Sequence, residues 1–195
     1  MTSSRTPGRS QRRATGGLPR RPLSTSTQQR GAEARLLAKL RGAAIPELTL
    51  HSVRFGSVEM REMTRGAAVV YFYTGARGSR ADAEQVRSLE DIYPQLLVRG
   101  FHLIGVHAQD PQEQLHHIVS CPVDHILAAD PELHLAGSLG VPTCVEDGLR
   151  IYQRAILVVE RAHVIHALYP VLGSGRCADE LLEWLDHRSP VALSH

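Results

Sequence analysis

Residues 67–73, Ala67-Ala68-Val69-Val70-Tyr71-Phe72-Tyr73, form a short apolar run. It breaks abruptly into a Gly-rich turn, Thr74-Gly75-Ala76-Arg77-Gly78-Ser79, and then into the polar series Arg80-Ala81-Asp82-Ala83-Glu84-Gln85. A bounded apolar run rich in Val, Tyr and Phe reads as a buried strand. The turn then lies at the carboxyl end of a central strand and the amino end of a helix. In open α/β sheets, ligands and chemistry collect at that position, and a helix N-terminus favours anions there.

The chain has 195 residues, enough for one domain with a tail. No run approaches the roughly 20 apolar residues a membrane helix needs, so no membrane partner is expected. Lys39 is the only lysine, a bias toward Arg that fits a GC-rich bacterial genome. Net charge is +2, but residues 1–35 hold eight arginines against Glu33 alone, which leaves −5 on the rest. A basic tail on a mildly acidic domain does not make a nucleic-acid-binding domain, so no nucleic-acid partner is expected. The cysteines, Cys121, Cys144 and Cys177, are odd in number and lack CxxC spacing. That excludes a disulfide framework and a structural zinc site. No His pair flanks a Glu at helical i,i+4 spacing, and His116 and His117 are neighbours that diverge on a helix. No metal site and no cofactor are expected.

Residues 1–33 are nearly empty of large apolar side chains and read as disordered. The tail is drawn to residue 40, with one or two helical turns over 34–40, the domain over 41–189 and a frayed end over 190–195. Residues 45–50 and 57–60 read as a short hairpin, with Phe55-Gly56 near its turn. Residues 60–64 fit one helical turn. A helix over 81–99 places Val86, Leu89, Ile92 and Leu96 on one face, with a kink or split at Pro94. A strand over 101–107 follows, then a helix from Asp110-Pro111 to about residue 119. Next come a strand over 125–128 and a brief helix from Asp130-Pro131 to about Gly140. Residues 141–149 read as a loop. Residues 151–159 and 162–169 pair as antiparallel strands, and 178–187 form the last helix. This order requires an α/β fold of thioredoxin-like type, a central mixed sheet, mostly parallel, flanked by helices.

Several blocks, in order and at compatible spacing, carry a resemblance over residues 46–187. They are Val69-Val70-Tyr71-Phe72-Tyr73, Gly105-Val106-His107-Ala108-Gln109-Asp110-Pro111, Asp130-Pro131-Glu132, Leu139-Gly140-Val141 and Tyr152-Gln153-Arg154-Ala155-Ile156-Leu157-Val158. The chain resembles the peroxiredoxin family, in its alkyl hydroperoxide reductase/thiol-specific antioxidant branch and the bacterioferritin-comigratory subgroup. Anchored on Tyr71-Phe72-Tyr73, the resemblance puts Thr74 at a family Pro, Gly78 at the family Thr and Ser79 at the next Pro. Ala81 falls at the peroxidatic Cys, Asp82 at the following Thr and Glu84 at the family Glu. Val86 falls where a resolving Cys often stands. Arg154 matches the Arg that lies against the thiolate and the peroxide.

Peroxide reduction needs a thiolate activated by a helix N-terminus and an Arg, and Ala81 is no nucleophile. The expected site thus comprises Ala81, Arg154 and Glu84, with Thr74, Gly78, Ser79 and Asp82 around it. Arg154 is also expected to pair with Glu84 or Asp82, whose negative charge disfavours a further anionic ligand. Cys144 is the best candidate thiol, since the resemblance runs its loop near the site mouth. Cys121 reads as a small packed hydrophobe, and Cys177 as a thiol whose pKa a helix dipole could lower. Val141-Pro142-Thr143 reads as an ordinary turn.

Three functions follow: a redoxin of the antioxidant lineage that has lost peroxide reduction, a thiol oxidoreductase using Cys144 with Arg154, and a ligand-binding or scaffold module. The resemblance implies a cytoplasmic protein that can form a homodimer. A thioredoxin-type reductant enters only if a cysteine is active.

Overall fold

The computed structural model describes residues 27–76, 79–110, 122–171 and 176–188. The helix expected over 110–119, together with Cys121 and Gly78, lies outside them. In chain order the elements are α1 (Thr27–Leu40), β1 (Thr49–Ser52), β2 (Gly56–Glu59), α2 (Met60–Met63), β3 (Ala67–Phe72) and α3 (Arg80–Val98). They continue with β4 (Phe101–His107), β5 (Ile126–Ala129), α4 (His134–Leu139), β6 (Thr143–Glu146), β7 (Leu149–Tyr152), β8 (Ala155–Glu160), β9 (His163–Leu168) and α5 (Cys177–His187).

Seven strands form one sheet in the order β2-β1-β5-β4-β3-β8-β9. The pairs β3–β4 and β4–β5 are parallel; β3–β8, β8–β9, β1–β5 and β1–β2 are antiparallel. The sheet is therefore mixed, as expected, but antiparallel pairs outnumber parallel ones. The thioredoxin-like arrangement holds, with β3 between β4 and β8 at its centre.

The period-2 alternation of a strand decides which core each β3 side chain enters. Val70 and Phe72 join Ile104, Leu157, Tyr152 and Leu40 on one face, while Val69, Tyr71 and Tyr73 meet α3 and α5 on the other. On α3, Val86, Leu89, Ile92 and Leu96 are buried as the 3.6 periodicity predicts, and Leu97 is exposed. Pro94 lies within one continuous helix and does not split it. Ser79 caps that helix by accepting the Asp82 N–H at 3.2 Å.

Three expectations change. Helix α1 starts well before residue 34, and Leu40, assigned to the tail, is fully buried beside Ile45. The end of α1 is held to β9, because Gly42 N donates to Val164 O at 2.6 Å. Residues 141–149 are no simple loop: β6 and β7 form a hairpin in which Glu146 pairs with Leu149 and Cys144 with Ile151. Its two-residue turn is Asp147-Gly148, both at positive φ, the pattern that hairpins of this length favour. Consequently residues 149–152 pair with β6, and only 155–160 pair with β9.

Candidate functional site

The carboxyl end of β3 delivers the turn to a place where three other segments converge. Phe72 pairs with Ala155, so β8 begins beside the end of β3 and places Arg154 next to the turn. Ile156 pairs with Leu168, which brings Tyr169, Pro170 and Val171 alongside, and Val171 N donates to Arg154 O at 3.3 Å. Gln153 N donates to Pro142 O at 2.9 Å, and that bond swings the β6–β7 hairpin and Cys144 toward the same point.

These segments enclose a cavity of about 500 Å³ lined by Thr74, Ala76, Ser79, Cys144, Glu146, Gln153, Arg154, Tyr169, Pro170 and Val171. That volume lies within the range of small-molecule sites. The Tyr169 hydroxyl donates to Gln153 Oε1 in its wall. Cys144 is half-buried there and on the same lining as Arg154, so the structure brings together the two residues that the second functional expectation needs.

Behind the cavity the donors of the turn are already engaged. Asp82 is fully buried in the first turn of α3. Its carboxylate accepts from Thr74 N at 3.3 Å, Thr74 Oγ1 at 2.5 Å and Gly75 N at 2.9 Å. Its Oδ1 lies 3.9 Å from Arg154 Nη1, whose side chain is 25 % exposed. A carboxylate thus stands where the helix N-terminus and the neighbouring guanidinium would otherwise attract an anion. Of the two pairings expected for Arg154, the one with Asp82 forms.

Glu84 is not among the residues that line the cavity. It points to solvent and pairs with Arg80 Nε at 2.8 Å, an i,i+4 contact along the surface of α3. Ala81 is half-buried in the first turn of α3, beside Asp82. Cys177 departs from its expected low pKa. Burial in the α3/α5 core pushes its thiol up, only partly opposed by a contact with Ser88 Oγ at 3.4 Å. Among the described residues, Asp130, Glu132 and His134 alone group as metal donors do. Asp130 is committed, accepting from His134 N at 2.9 Å, Leu135 N at 3.0 Å and the Tyr152 hydroxyl at 2.6 Å.

Sequence reading missed Glu146, Gln153, Tyr169, Pro170 and Val171 as cavity residues. The one available signal was the Tyr169-Pro170 break at the end of the last strand, where the peptide bond is cis.

Solved structures superimpose on this fold. The bacterioferritin comigratory protein of Xanthomonas campestris superimposes with a TM-score of 0.65 and 17% identity, over 75% of this chain and 97% of that one. The peroxidoxin BcpB of Mycobacterium tuberculosis gives 0.66 and 17%, over 76% and 98%. A cysteine-to-serine variant of PrxQ from Xylella fastidiosa gives 0.66 and 14%, over 75% and 94%. The fold is that of the peroxiredoxins. No protein-family model matches the chain, and no curated protein matches it. The peroxiredoxin likeness expected from the sequence is therefore borne out as a likeness of fold. Among the described residues no helix is long and apolar enough to cross a membrane.

Proposed function

We propose that this protein is a peroxiredoxin-like redoxin that does not reduce peroxide at the family's peroxidatic position. Instead it keeps the pocket beside Arg154 as a binding site. The observation that carries this reading is the Asp82 carboxylate, which takes the Thr74 and Gly75 donors and faces Arg154. Ala81 supplies no nucleophile, and the Asp82 carboxylate sets a negative charge beside it, where a thiolate or a peroxide oxygen would need positive potential. What remains usable is a cavity that combines the Arg154 guanidinium, the Glu146 carboxylate and the Gln153 carboxamide with hydroxyls and an apolar wall at Pro170 and Val171.

A second reading rests on Cys144, which lines the cavity with Arg154. As a thiolate, its sulfur would take the terminal oxygen of a hydroperoxide. The S–O bond forms as O–O breaks, and the alkoxide takes a proton to leave as alcohol. A thioredoxin-type dithiol would then displace water from the sulfenic acid, form a mixed disulfide and release the thiol as its own disulfide. Cys177, buried in the α3/α5 core, is not placed to resolve it.

The test is peroxide consumption by the full chain with a dithiol reductant. The first reading expects no consumption above the reductant's background in the wild type or in Cys144→Ser. Consumption by the wild type that Cys144→Ser abolishes overturns it in favour of the second.

A further inference from the structure

At the opposite end of the sheet, where β3 and β4 begin, a second cavity of about 750 Å³ opens. Six residues of β3 at about 3.3 Å each put it some 20 Å from the Asp82 turn. Its floor is apolar, formed by Phe101, Ile165 and Leu185, and its rim is basic.

The four guanidiniums on that rim are unequally engaged. Arg99 pairs with Asp186 at 2.9 Å, and Arg188 with Glu160 at 2.5 Å. Arg65 pairs with Glu62 at 3.1 Å, but that pair is largely exposed and contributes little. Arg161, held at the β8–β9 turn, makes no ion pair among the described residues. Arg188 is the informative one. Its side chain is 18% exposed, its guanidinium stacks over Phe101 and Trp184 at 5.6 and 5.5 Å, and its buried Nη1 has no acceptor among the described residues. A buried guanidinium N–H without an acceptor is costly, and an anionic oxygen is its strongest partner.

We propose that this cavity binds a small organic anion, a carboxylate or phosphate head on an apolar body. The head meets the accessible guanidiniums of Arg161 and Arg65, with the Arg188 charge beneath them, and the apolar body lies on Phe101, Ile165 and Leu185. The cavity has the volume of small-ligand sites, and its lining combines an apolar floor with a few convergent charges as such sites do.

Trp184, the only tryptophan in the chain, stacks on Arg188 and reports binding through its emission. The full chain is titrated with octanoate, octyl phosphate, octylammonium and acetate. Octanoate or octyl phosphate is expected to shift the emission saturably, at least about tenfold more tightly than octylammonium or acetate. The tighter of the two heads identifies the ligand's source. Arg65→Glu and Arg161→Glu lie on exposed side chains and leave the core intact, which circular dichroism confirms. Each is expected to weaken the anion about tenfold while leaving octylammonium unweakened. Equal binding of octylammonium and octanoate, or unchanged anion affinity in both variants, overturns the proposal.

Discussion

The Asp82 carboxylate lies 3.9 Å from Arg154 Nη1 while accepting three hydrogen bonds from Thr74 and Gly75. The pair ties the first turn of α3 to the start of β8 behind the cavity. Removing the carboxylate leaves buried donors unsatisfied, at about 1–3 kcal/mol for such a group. Asp82→Ala is expected to lower the urea midpoint accordingly without changing the slope of the transition. An unchanged midpoint would show that water replaces the carboxylate without loss.

A cysteine placed in the turn should be a poor nucleophile. In an otherwise Cys144→Ser chain, Ala81→Cys introduces a thiol next to Asp82, and a neighbouring negative charge raises a thiol pKa. Thiolate absorbance against pH should give a lower pKa for Ala81→Cys with Asp82→Thr than for Ala81→Cys alone. Equal values would mean that Asp82 does not govern the electrostatics of the turn.

The two described cysteines should differ in reactivity. Cys144 lines an open cavity, whereas Cys177 is 2% exposed and burial raises its thiol pKa. Maleimide labelling resolved by mass spectrometry at pH 7.5 is expected to modify Cys144 at least about tenfold faster. Cys177 labelling at the Cys144 rate in native protein would contradict the packing of α5 on α3.

Acid should destabilise the fold through His125. Its Nε2 meets the Tyr71 hydroxyl at 2.7 Å and its Nδ1 meets Glu90 Oε2 at 2.5 Å inside the α3/α5 core. Burial lowers its pKa below 6.5, and the Glu90 contact only partly offsets that. The folded state then binds fewer protons than the unfolded chain. Stability is full above the unfolded value of about 6.5 and falls as pH drops below it. His166 is lowered by burial as well, with the same sign. Urea midpoints from pH 7.5 to 5.5 should decline, and His125→Gln should reduce the decline without abolishing it. A flat profile in the wild type would refute the assignment of a neutral His125.

Gly105 is required by the ring beside it. Tyr71 and Gly105 pair across β3 and β4, and a Cβ at Gly105 would lie 2.5 Å from Tyr71 Cζ and hydroxyl oxygen and 2.7 Å from Leu127 Cδ2. Gly105→Ala must displace the Tyr71 ring from His125, at a cost of about 1–3 kcal/mol typical of overpacking. Thermal melting should drop by several degrees. An unchanged melting temperature would mean that the ring relocates freely.

Local pattern carried most of the fold. The bounded apolar run of residues 67–73 and the 3.6 period of Val86, Leu89, Ile92 and Leu96 each depend only on neighbouring residues; the first marked a buried strand and the second the buried face of a helix. The thioredoxin-like architecture and the turn at the end of β3 followed from them. The Asp147-Gly148 hairpin was also written locally, in a dipeptide that favours positive φ, but the apolar run after it suggested pairing with β9 instead.

The contents of the site depended on contacts that no local pattern encodes. Asp82 and Glu84 sit two apart in one helical turn, so they project to different sides. Which one met Arg154 depended on how α3 docks against β8. Cys144 reached the cavity through the β6–β7 register and the Gln153–Pro142 hydrogen bond, and Tyr71 met His125 across 54 residues of chain. Secondary structure and its apolar faces arise from interactions within a few residues, and the chain alone states them. The occupant of the turn and the thiol in the cavity were decided by sheet register and helix docking, which bring together residues far apart in sequence.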